Sequence, residues 1–535
     1  MNWLSHFGSF RWLSALLLGS TIIVLAENKP KAGGTLHLPL GGDISSIDPA
    51  RCYELPGELF VRVLYQSLVD YDDGVEMVPC LAKSWTVSAD GLIYTFELDP
   101  RARFSNGRAV VAEDYLFSFD RMLSPKMHCP ADFIYFGIRG VEEYRAGKSE
   151  HISGVEAPSP NKLVFNLLKP DLTFLYRIAM PFAAPVCREL LKEKFSEIGT
   201  ISAGAGPYKL KEWNRGARIQ LVRNPFYGGA CPAFVDELDA TIGIEDSVAQ
   251  MMFERGELDI VDLKFGVAGA EFPRIKRTPE ISKNLEAEVS SAIDYLALNT
   301  EIPPLDNKLV RKAFNYAINK QRLVEIQGGR SVAMNGPLPP VVPGFSPNLK
   351  GYDYLPEKAR ALLAEAGLPN GFTTSVIFPN VVQENFRMVA AVQEDLRQVG
   401  IILEVNPLSF PAYLEKSQRR KTAPVCYASW SEDFPDPSNY LDALFNGETI
   451  SERDCQNLAF YNNPEVNVLL KTAASSLNVK ARLALYQKAE ELIVEDAPWV
   501  FLVCLKQYVL HQPWVKNTKP HVVWPFRFEK MWIDR

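Results

Sequence analysis

The sequence contains little histidine and no excess of basic charge. Only six histidines occur in 535 residues, and none belongs to an H-E-x-x-H metal motif or a close pair. The formal net charge is -7, so the chain offers no basic field that would attract a polyanion. We therefore expect no metal, no other cofactor and no nucleic-acid partner.

Motifs of catalysis are also missing. The chain has no G-x-S-x-G nucleophile motif, and without geometry no pair of carboxylates can be assigned to glycoside hydrolysis. Gly147-Lys148-Ser149 ends like a phosphate-binding loop, but Glu142 stands where that motif requires its first glycine. We therefore expect no enzyme, and a secreted hydrolase is the less favoured alternative.

Long apolar runs and closely spaced cysteines are absent after the N-terminus. No stretch beyond residue 26 approaches 18 uninterrupted apolar residues, which excludes further membrane spans. The eight cysteines are widely scattered, without a C-x-x-C pair. Two alternatives remain open for them, namely disulfides formed in an oxidising compartment or buried free thiols.

The N-terminus has the layout of a secretory signal peptide. Arg11 precedes an apolar run from Trp12 to Ala26, and Val24-Leu25-Ala26 suits a cleavage site. A membrane anchor is the alternative, but the apolar run is shorter than the roughly 20 residues that span a bilayer. We expect cleavage after Ala26. Because no cysteine lies near that point, we expect a soluble periplasmic protein without a lipid anchor.

The length predicts two or three domains, and the C-terminal half alternates between strand and helix patterns. Residues 356–367 read as a helix, with Pro356 at its first position and Gly367 just past its end. Strand patterns at 374–378 and 401–405 enclose a helix pattern at 385–399. Another helix is expected at 246–255, between strands at 240–244 and 258–262. This order predicts an α/β fold.

The most informative stretch runs from Pro79 to Asp114. Leu92, Tyr94, Phe96 and Leu98 alternate with more polar residues, which indicates a strand with one buried face, and Asp90-Gly91 supplies a hairpin turn before it. A helix is expected to begin near Ala112.

The segment from Pro79 to Asp114 resembles the hallmark region of the bacterial extracellular solute-binding proteins of family 5, the peptide-binding receptors of ABC importers. Further segments match that family in the same order, at residues 33–49, 204–227, 256–260 and 298–320. The resemblance implies a two-lobed, type II periplasmic-binding-protein-like clam-shell of α/β class, with an additional β-rich insertion domain. By this comparison lobe I comprises residues 27–74, 199–299 and 507–535, the insertion 75–198, and lobe II 300–506.

The resemblance also implies a ligand site between the lobes. Residues 427–440 resemble the segment that carries the carboxylate for a peptide ammonium, and the matching position is Asp433. Trp430 matches an aromatic residue of the same pocket, while Tyr427 and Phe410 stand where relatives carry an arginine and usually a tryptophan. Alternatively Asp433 is a turn residue, and for Asp436 we expect a purely structural role as a helix cap.

The implied partners are a peptide ligand and the permease subunits of an ABC importer, with its ATPase subunits in the complex. We expect a monomer. The same scaffold also serves oligosaccharides, nickel chelates, haem and opine-like compounds in various relatives, so a non-peptide solute is the alternative. The carboxylate of Asp433 favours a peptide, because a buried ammonium needs a counter-charge.

Overall fold

The computed structural model describes residues 29–229, 231–262, 271–380 and 383–535. The predicted signal peptide and its cleavage site after Ala26 lie outside these ranges. Within them the chain mixes helices and strands throughout. None of the helices in the described ranges is long and apolar enough to cross a lipid bilayer.

Fifteen α-helices, α1 to α15 in chain order, lie in the described residues. Their bounds are Leu55–Leu64, Ala112–Leu123, Val141–Arg145, Phe174–Ala179, Asp246–Glu254, Phe272–Arg277, Pro279–Ser282, Lys308–Ala317, Lys320–Ile326, Pro356–Glu365, Gln383–Gln398, Phe410–Ser417, Ser438–Phe445, Pro464–Ser475 and Val479–Asp496. The helices predicted at 246–255, 356–367 and 385–399 are thus confirmed as α5, α10 and α11.

The described residues also form nineteen strands, β1 to β19. Their bounds are Thr35–Leu40, Val69–Tyr71, Met77–Pro79, Ala82–Val87, Ile93–Leu98, Val155–Ser159, Lys162–Asn166, Tyr208–Asn214, Arg218–Arg223, Glu237–Ile242, Ile260–Asp262, Leu285–Leu298, Ser331–Ala333, Phe372–Pro379, Ile401–Leu408, Val425–Trp430, Trp499–His511, Val515–Lys516 and Trp532–Ile533. Three sheets dominate, in the orders β1-β10-β9-β8, β4-β5-β7-β6 and β11-β17-β12-β16-β14-β15, with β13 paired to β17.

The predicted hairpin is confirmed as β4 and β5. Gly91 takes a positive φ of 71° in the turn, a conformation that glycine adopts without steric cost. Tyr94, Phe96 and Leu98 are buried while Ile93 is exposed, as the alternation predicts. The helix expected near Ala112 begins there as α2.

Two long antiparallel strands connect the halves of the molecule. β12 and β17 pair from Leu285 with Leu510 at one end to Ala297 with Trp499 at the other. A bulge interrupts the register between Val289 and Ile293. Beyond it the strands join a sheet in which β14 runs parallel to both β15 and β16. The C-terminal half therefore has the predicted α/β character.

The buried apolar residues form separate clusters in the two halves. One cluster contains residues of the β1 and β4 sheets together with the C-terminal residues 524–531. Two further clusters pack around the C-terminal part of the large sheet and its helices. The predicted insertion thus shares a core with the predicted lobe I, and the domain boundaries stay predictions.

The eight cysteines are free thiols, and all but Cys231 are buried. Burial raises the pKa of the Cys52 and Cys426 thiols to about 12, so these groups stay protonated and unreactive at neutral pH. This arrangement agrees with the second of the two alternatives left open by the sequence.

Candidate functional site

The turn that carries Asp433 joins the end of β16 to the start of α13. It is anchored by Asp436, whose Oδ1 accepts a hydrogen bond of 2.9 Å from the backbone N–H of Ser438. Arg482 of α15 donates two hydrogen bonds of 2.7 Å to the same carboxylate, and both side chains are buried. Asp436 thus has a structural role, in a turn bond and a bidentate ion pair, but the helix cap expected for it is not found, because the N-cap residue of α13 is Pro437.

Asn439, in the first turn of α13, brings Trp430 and Asp433 together. Its Oδ1 accepts hydrogen bonds of 3.3 Å from the indole N–H of Trp430 and from the backbone N–H of Asp433. Its side-chain N–H group donates to Oδ2 of Asp433 at 3.4 Å. The two side chains that the family resemblance selects thus share one amide, which fixes their relative position.

The other carboxylate oxygen of Asp433 faces the N-terminal half. Tyr53, in the loop between β1 and α1, donates a hydrogen bond of 2.8 Å from its hydroxyl to Oδ1 of Asp433. The ring of Tyr53 packs edge-on against Phe182, with ring centroids 5.6 Å apart. Among the described residues no lysine or arginine forms an ion pair with Asp433, although the full sequence contains 57 lysine and arginine residues. Its carboxylate is therefore open to a cation from outside.

Phe434, directly after Asp433, contacts the segment predicted as the insertion. Its ring stacks on Tyr176 at a centroid distance of 6.3 Å, and the guanidinium of Arg177 lies 5.6 Å from its ring centre. Elements from three parts of the chain therefore meet at this turn.

Further carboxylates surround Asp433. Glu58, in the first turn of α1, is half-buried, and its carboxylate takes part in no ion pair or hydrogen bond among the described residues. Burial, then the negative charges of Asp433 and Glu54, raise the pKa of Glu58 to about 7. Burial likewise raises the pKa of Glu432 to about 7, against the lowering effect of its contact with the Tyr440 hydroxyl. The site is acidic and holds protons that a bound cation can displace.

The structure places the two remaining predicted residues differently. Tyr427 is 1% exposed, and its hydroxyl donates a hydrogen bond of 3.0 Å to Oδ2 of Asp294 on the neighbouring strand β12. Phe410 is 49% exposed at the start of α12, without a ring contact to another aromatic side chain of the described residues. Neither of them contacts Asp433 in this conformation, and their role as ligand contacts stays a prediction.

A cavity of about 870 Å³ lies beside the turn, between the predicted insertion and helices α13, α14 and α15. Ser438 and Arg177 line it, so it adjoins the turn, but Asp433 does not. Its wall mixes cations, among them Lys169 and Lys471, with carboxylates such as Asp442. The volume lies within the range of small-molecule sites, roughly 300–1,000 Å³.

Three residues of this site could not be identified from the sequence. Tyr53 and Glu58 lie far from Asp433 along the chain, and no local pattern marks them as its neighbours. Asn439 lies inside the segment that resembles the ligand-binding segment, yet its bridging geometry depends on the helix that follows the turn.

Comparison with known proteins agrees with this architecture. The sequence profile described as "Bacterial extracellular solute-binding proteins, family 5 Middle" matches residues 76–452. Heme-binding protein A of Haemophilus influenzae is 30% identical over 488 residues, which cover 87% of this chain and 85% of that protein. Glutathione-binding protein GsiB of Salmonella typhi is 26% identical over 515 residues, with 95% and 96% covered.

A solved structure extends the similarity to the fold. The ABC transporter-associated periplasmic binding protein DppA of Helicobacter pylori, in complex with the peptide STSA, superimposes with a TM-score of 0.73. It is 29% identical, and the match covers 94% of this chain and 99% of that one. The predicted two-lobed, type II α/β fold is thereby confirmed. The chain belongs to the bacterial extracellular solute-binding proteins of family 5.

Proposed function

We propose that this protein is the periplasmic receptor of an ABC importer for peptides with a free α-ammonium group. The receptor is a monomer that captures its ligand between the lobes and does no chemistry on it. It then delivers the ligand to the permease subunits. The chain is exported by its signal peptide, which is cleaved after Ala26. Support for a peptide comes from the similarity to the peptide-bound DppA of Helicobacter pylori and from the acidic character of the site.

The carboxylate of Asp433 carries the proposal. It is held in position by Asn439, contacted by the neutral hydroxyl of Tyr53, and paired with no lysine or arginine of the described residues. A carboxylate of purely structural use is normally paired or capped, as its neighbour Asp436 is by Arg482. A ligand ammonium at Asp433 would complete an ion pair of the same kind, shared between the two halves of the molecule.

A haem ligand is the main alternative, because a relative that is 30% identical is named for haem binding. Haem carries two carboxylate groups at neutral pH. Asp433, Glu54 and Glu58 would repel such anions, since like charges in a partly buried site destabilise each other. The charge of the site therefore favours a cationic group. Glutathione also carries two carboxylates, but unlike haem it has a free α-ammonium that can pair with Asp433.

The proposal is tested by identifying what the protein carries. Protein purified from its native host without unfolding should release peptides with free α-amino groups when it is denatured, and mass spectrometry identifies them. N-terminal sequencing of the same sample should begin at Glu27. Release of haem or a sugar in place of peptides would contradict the proposal, as would failure to retain any member of a synthetic peptide pool.

A further inference from the structure

The cavity of about 870 Å³ lies between two parts of the chain that also touch each other. One wall belongs to the predicted insertion, and the other to helices α13, α14 and α15 of predicted lobe II. Phe434 stacks on Tyr176 near one set of wall residues. Leu477, between α14 and α15, packs so closely on the β4–β5 turn that a Cβ at Gly91 would lie 2.6 Å from its Cδ2. A ligand in the cavity would therefore contact both parts of the chain.

Apolar side chains form much of the wall on the insertion side. They include Leu168, Pro170 and Leu172, and Leu168 is 58% exposed. Surface of this kind suits the methylene stem of a lysine or arginine side chain, whose charged end must then reach a polar group.

Asp442, on α13, offers such a group on the opposite wall. The hydroxyl of Tyr486 donates a hydrogen bond of 2.8 Å to Oδ2 of Asp442. Arg482 donates to the oxygen of Tyr486 at 3.5 Å, which favours this direction of the hydroxyl. Among the described residues no group donates a hydrogen bond to Oδ1 of Asp442. The carboxylate is thus held by one oxygen, and the other is available to a ligand.

The cations of the wall leave Asp442 without a close counter-charge. Three of them form ion pairs with other carboxylates, namely Arg482 with Asp436 at 2.7 Å, Arg177 with Asp171 at 3.2 Å and Lys471 with Glu448 at 3.7 Å. Lys169 has no ion-pair partner in the described part of the chain, but it is exposed, so that water and salt screen its charge.

The empty cavity disfavours the ionised form of Asp442. Burial raises the pKa of this carboxyl group to about 7, and the charge of Asp436 acts in the same direction. The hydrogen bond from Tyr486 and the charge of Arg482 oppose the shift without cancelling it. A cation that enters the cavity would therefore gain a partner that no other group in the described structure neutralises.

We propose that this cavity is a subsite for the charged end of a lysine or arginine side chain of the ligand peptide, and that Asp442 binds it. The inference rests on the proposed function, because it concerns a peptide whose α-ammonium is bound at Asp433. Leu168 and its apolar neighbours contact the stem of the side chain. Tyr486 is a positioning residue, since it holds the carboxylate through Oδ2. The receptor thus prefers peptides with a basic side chain.

Calorimetry with two matched peptide series tests this preference. The peptides are tetra-alanines with lysine, or the uncharged norleucine, at position two, three or four. In the wild type, lysine at one of these positions should bind about tenfold or more tightly than norleucine, because a charge-assisted hydrogen bond is gained. Equal affinities for the two series at every position would overturn the proposal. This comparison needs no variant, so it is decisive even if a variant does not fold.

Variants assign the preference to Asp442. Asp442→Asn keeps an oxygen that can accept the bond from Tyr486 but removes the charge, so it should abolish the preference for lysine and leave Tm unchanged or higher. Glu448→Gln is the matched control, because Glu448 lies on the same wall but is already paired with Lys471, and it should keep the preference. A preference that survives in Asp442→Asn would overturn the assignment.

Cadaverine, an aliphatic diamine, separates the subsite from the peptide function. It carries the same alkyl ammonium without a peptide backbone. If no peptide of either series binds, but cadaverine binds the wild type and not Asp442→Asn, the proposed function fails and the subsite stands. If no peptide binds and cadaverine binds neither protein, or binds both equally, the subsite fails as well.

Discussion

The hydroxyl of Tyr53 lies 2.8 Å from Oδ1 of Asp433, although 380 residues separate them in the sequence. The contact joins the loop before α1 to the turn before α13 and places a neutral donor on a carboxylate without a basic partner in the described chain. A phenol oxygen that donates to Asp433 still has lone pairs free. It can therefore accept a hydrogen bond from an ammonium that pairs with the same carboxylate.

Replacement of Tyr53 by phenylalanine tests this arrangement. Tyr53→Phe keeps the ring contact with Phe182 but removes the hydroxyl. Because a hydrogen bond of this kind contributes about 1 kcal/mol, we expect roughly fivefold weaker binding of free-amine peptides in calorimetry. Tyr354→Phe, at an exposed tyrosine, is the control and should bind as the wild type does. Equal affinity of all three proteins would show that the hydroxyl contributes nothing to the site.

Ligand affinity should depend on pH through Glu58. The pKa of Glu58 is about 7 without ligand, because burial and the charges of Asp433 and Glu54 disfavour its ionised form. The hydroxyl of Tyr53 is a further titratable group next to Glu58. A bound ammonium favours the ionised form and so lowers this pKa. Below about pH 7 binding must therefore release a proton, and affinity should rise by up to about tenfold per pH unit up to that point.

Calorimetry in buffers of different ionisation enthalpy measures that proton release directly. Glu58→Gln should abolish both the release and the pH dependence below neutrality. Glu113→Gln is the matched control, since Glu113 is also a half-buried glutamate in the first turn of a helix. If the Glu58→Gln variant still released a proton on binding, the proton would come from a group other than Glu58.

The ion pair between Asp436 and Arg482 should matter for stability rather than for ligand choice. Both side chains are buried, and loss of one member of such a pair commonly costs about 3 to 5 kcal/mol. Asp436→Asn should therefore lower the free energy of unfolding by about that amount in urea titrations. Asp433→Asn, at a residue without a basic partner in the described structure, should change it by less than about 1 kcal/mol. Equal destabilisation by the two variants would contradict the distinction between them.

Ligand binding should close the cleft between the lobes. A ligand can shift the molecule toward a closed form only if it binds that form better. At about 100 times its dissociation constant, a bound peptide should stabilise the fold by about 2.7 kcal/mol. Small-angle scattering should show a smaller radius of gyration at the same concentration, whereas an unchanged radius would indicate a rigid cleft.

Local patterns in the sequence were sufficient for most helices and strands that could be checked. The helix from Pro356 to Glu365 follows from a proline at its start and Gly367 after its end, both of which act within a few residues. The predicted strand at 240–244 ends two residues early, at Ile242, because Gly243 takes a positive φ of 80° and leaves the ladder. Boundaries of this kind depend on single backbone angles that propensity does not determine.

Contacts between distant segments could not be predicted in this way. The pairing of Leu285–Leu298 with Trp499–His511 joins segments about two hundred residues apart, and neither strand specifies its partner by periodicity alone. For the same reason Asp433 and Trp430 were found only through the family resemblance, whereas Tyr53 and Glu58 required the folded structure. Tyr427 is buried because it pairs with Leu296 on β12. This pairing cannot be predicted from the residues next to Tyr427 in the sequence.

We propose above all that Asp433 binds the ligand's α-ammonium. This proposal is tested most directly by calorimetry on Asp433→Asn with two ligands, the tightest binder from a pool of synthetic tri- to pentapeptides and its N-acetylated form. Asp454→Asn, at an exposed aspartate with a positive φ of 58° that asparagine tolerates, is the matched control. We predict that Asp433→Asn weakens the free-amine peptide about a hundredfold or more and the acetylated peptide hardly at all. Equal loss for both peptides, or loss for neither, would contradict the account.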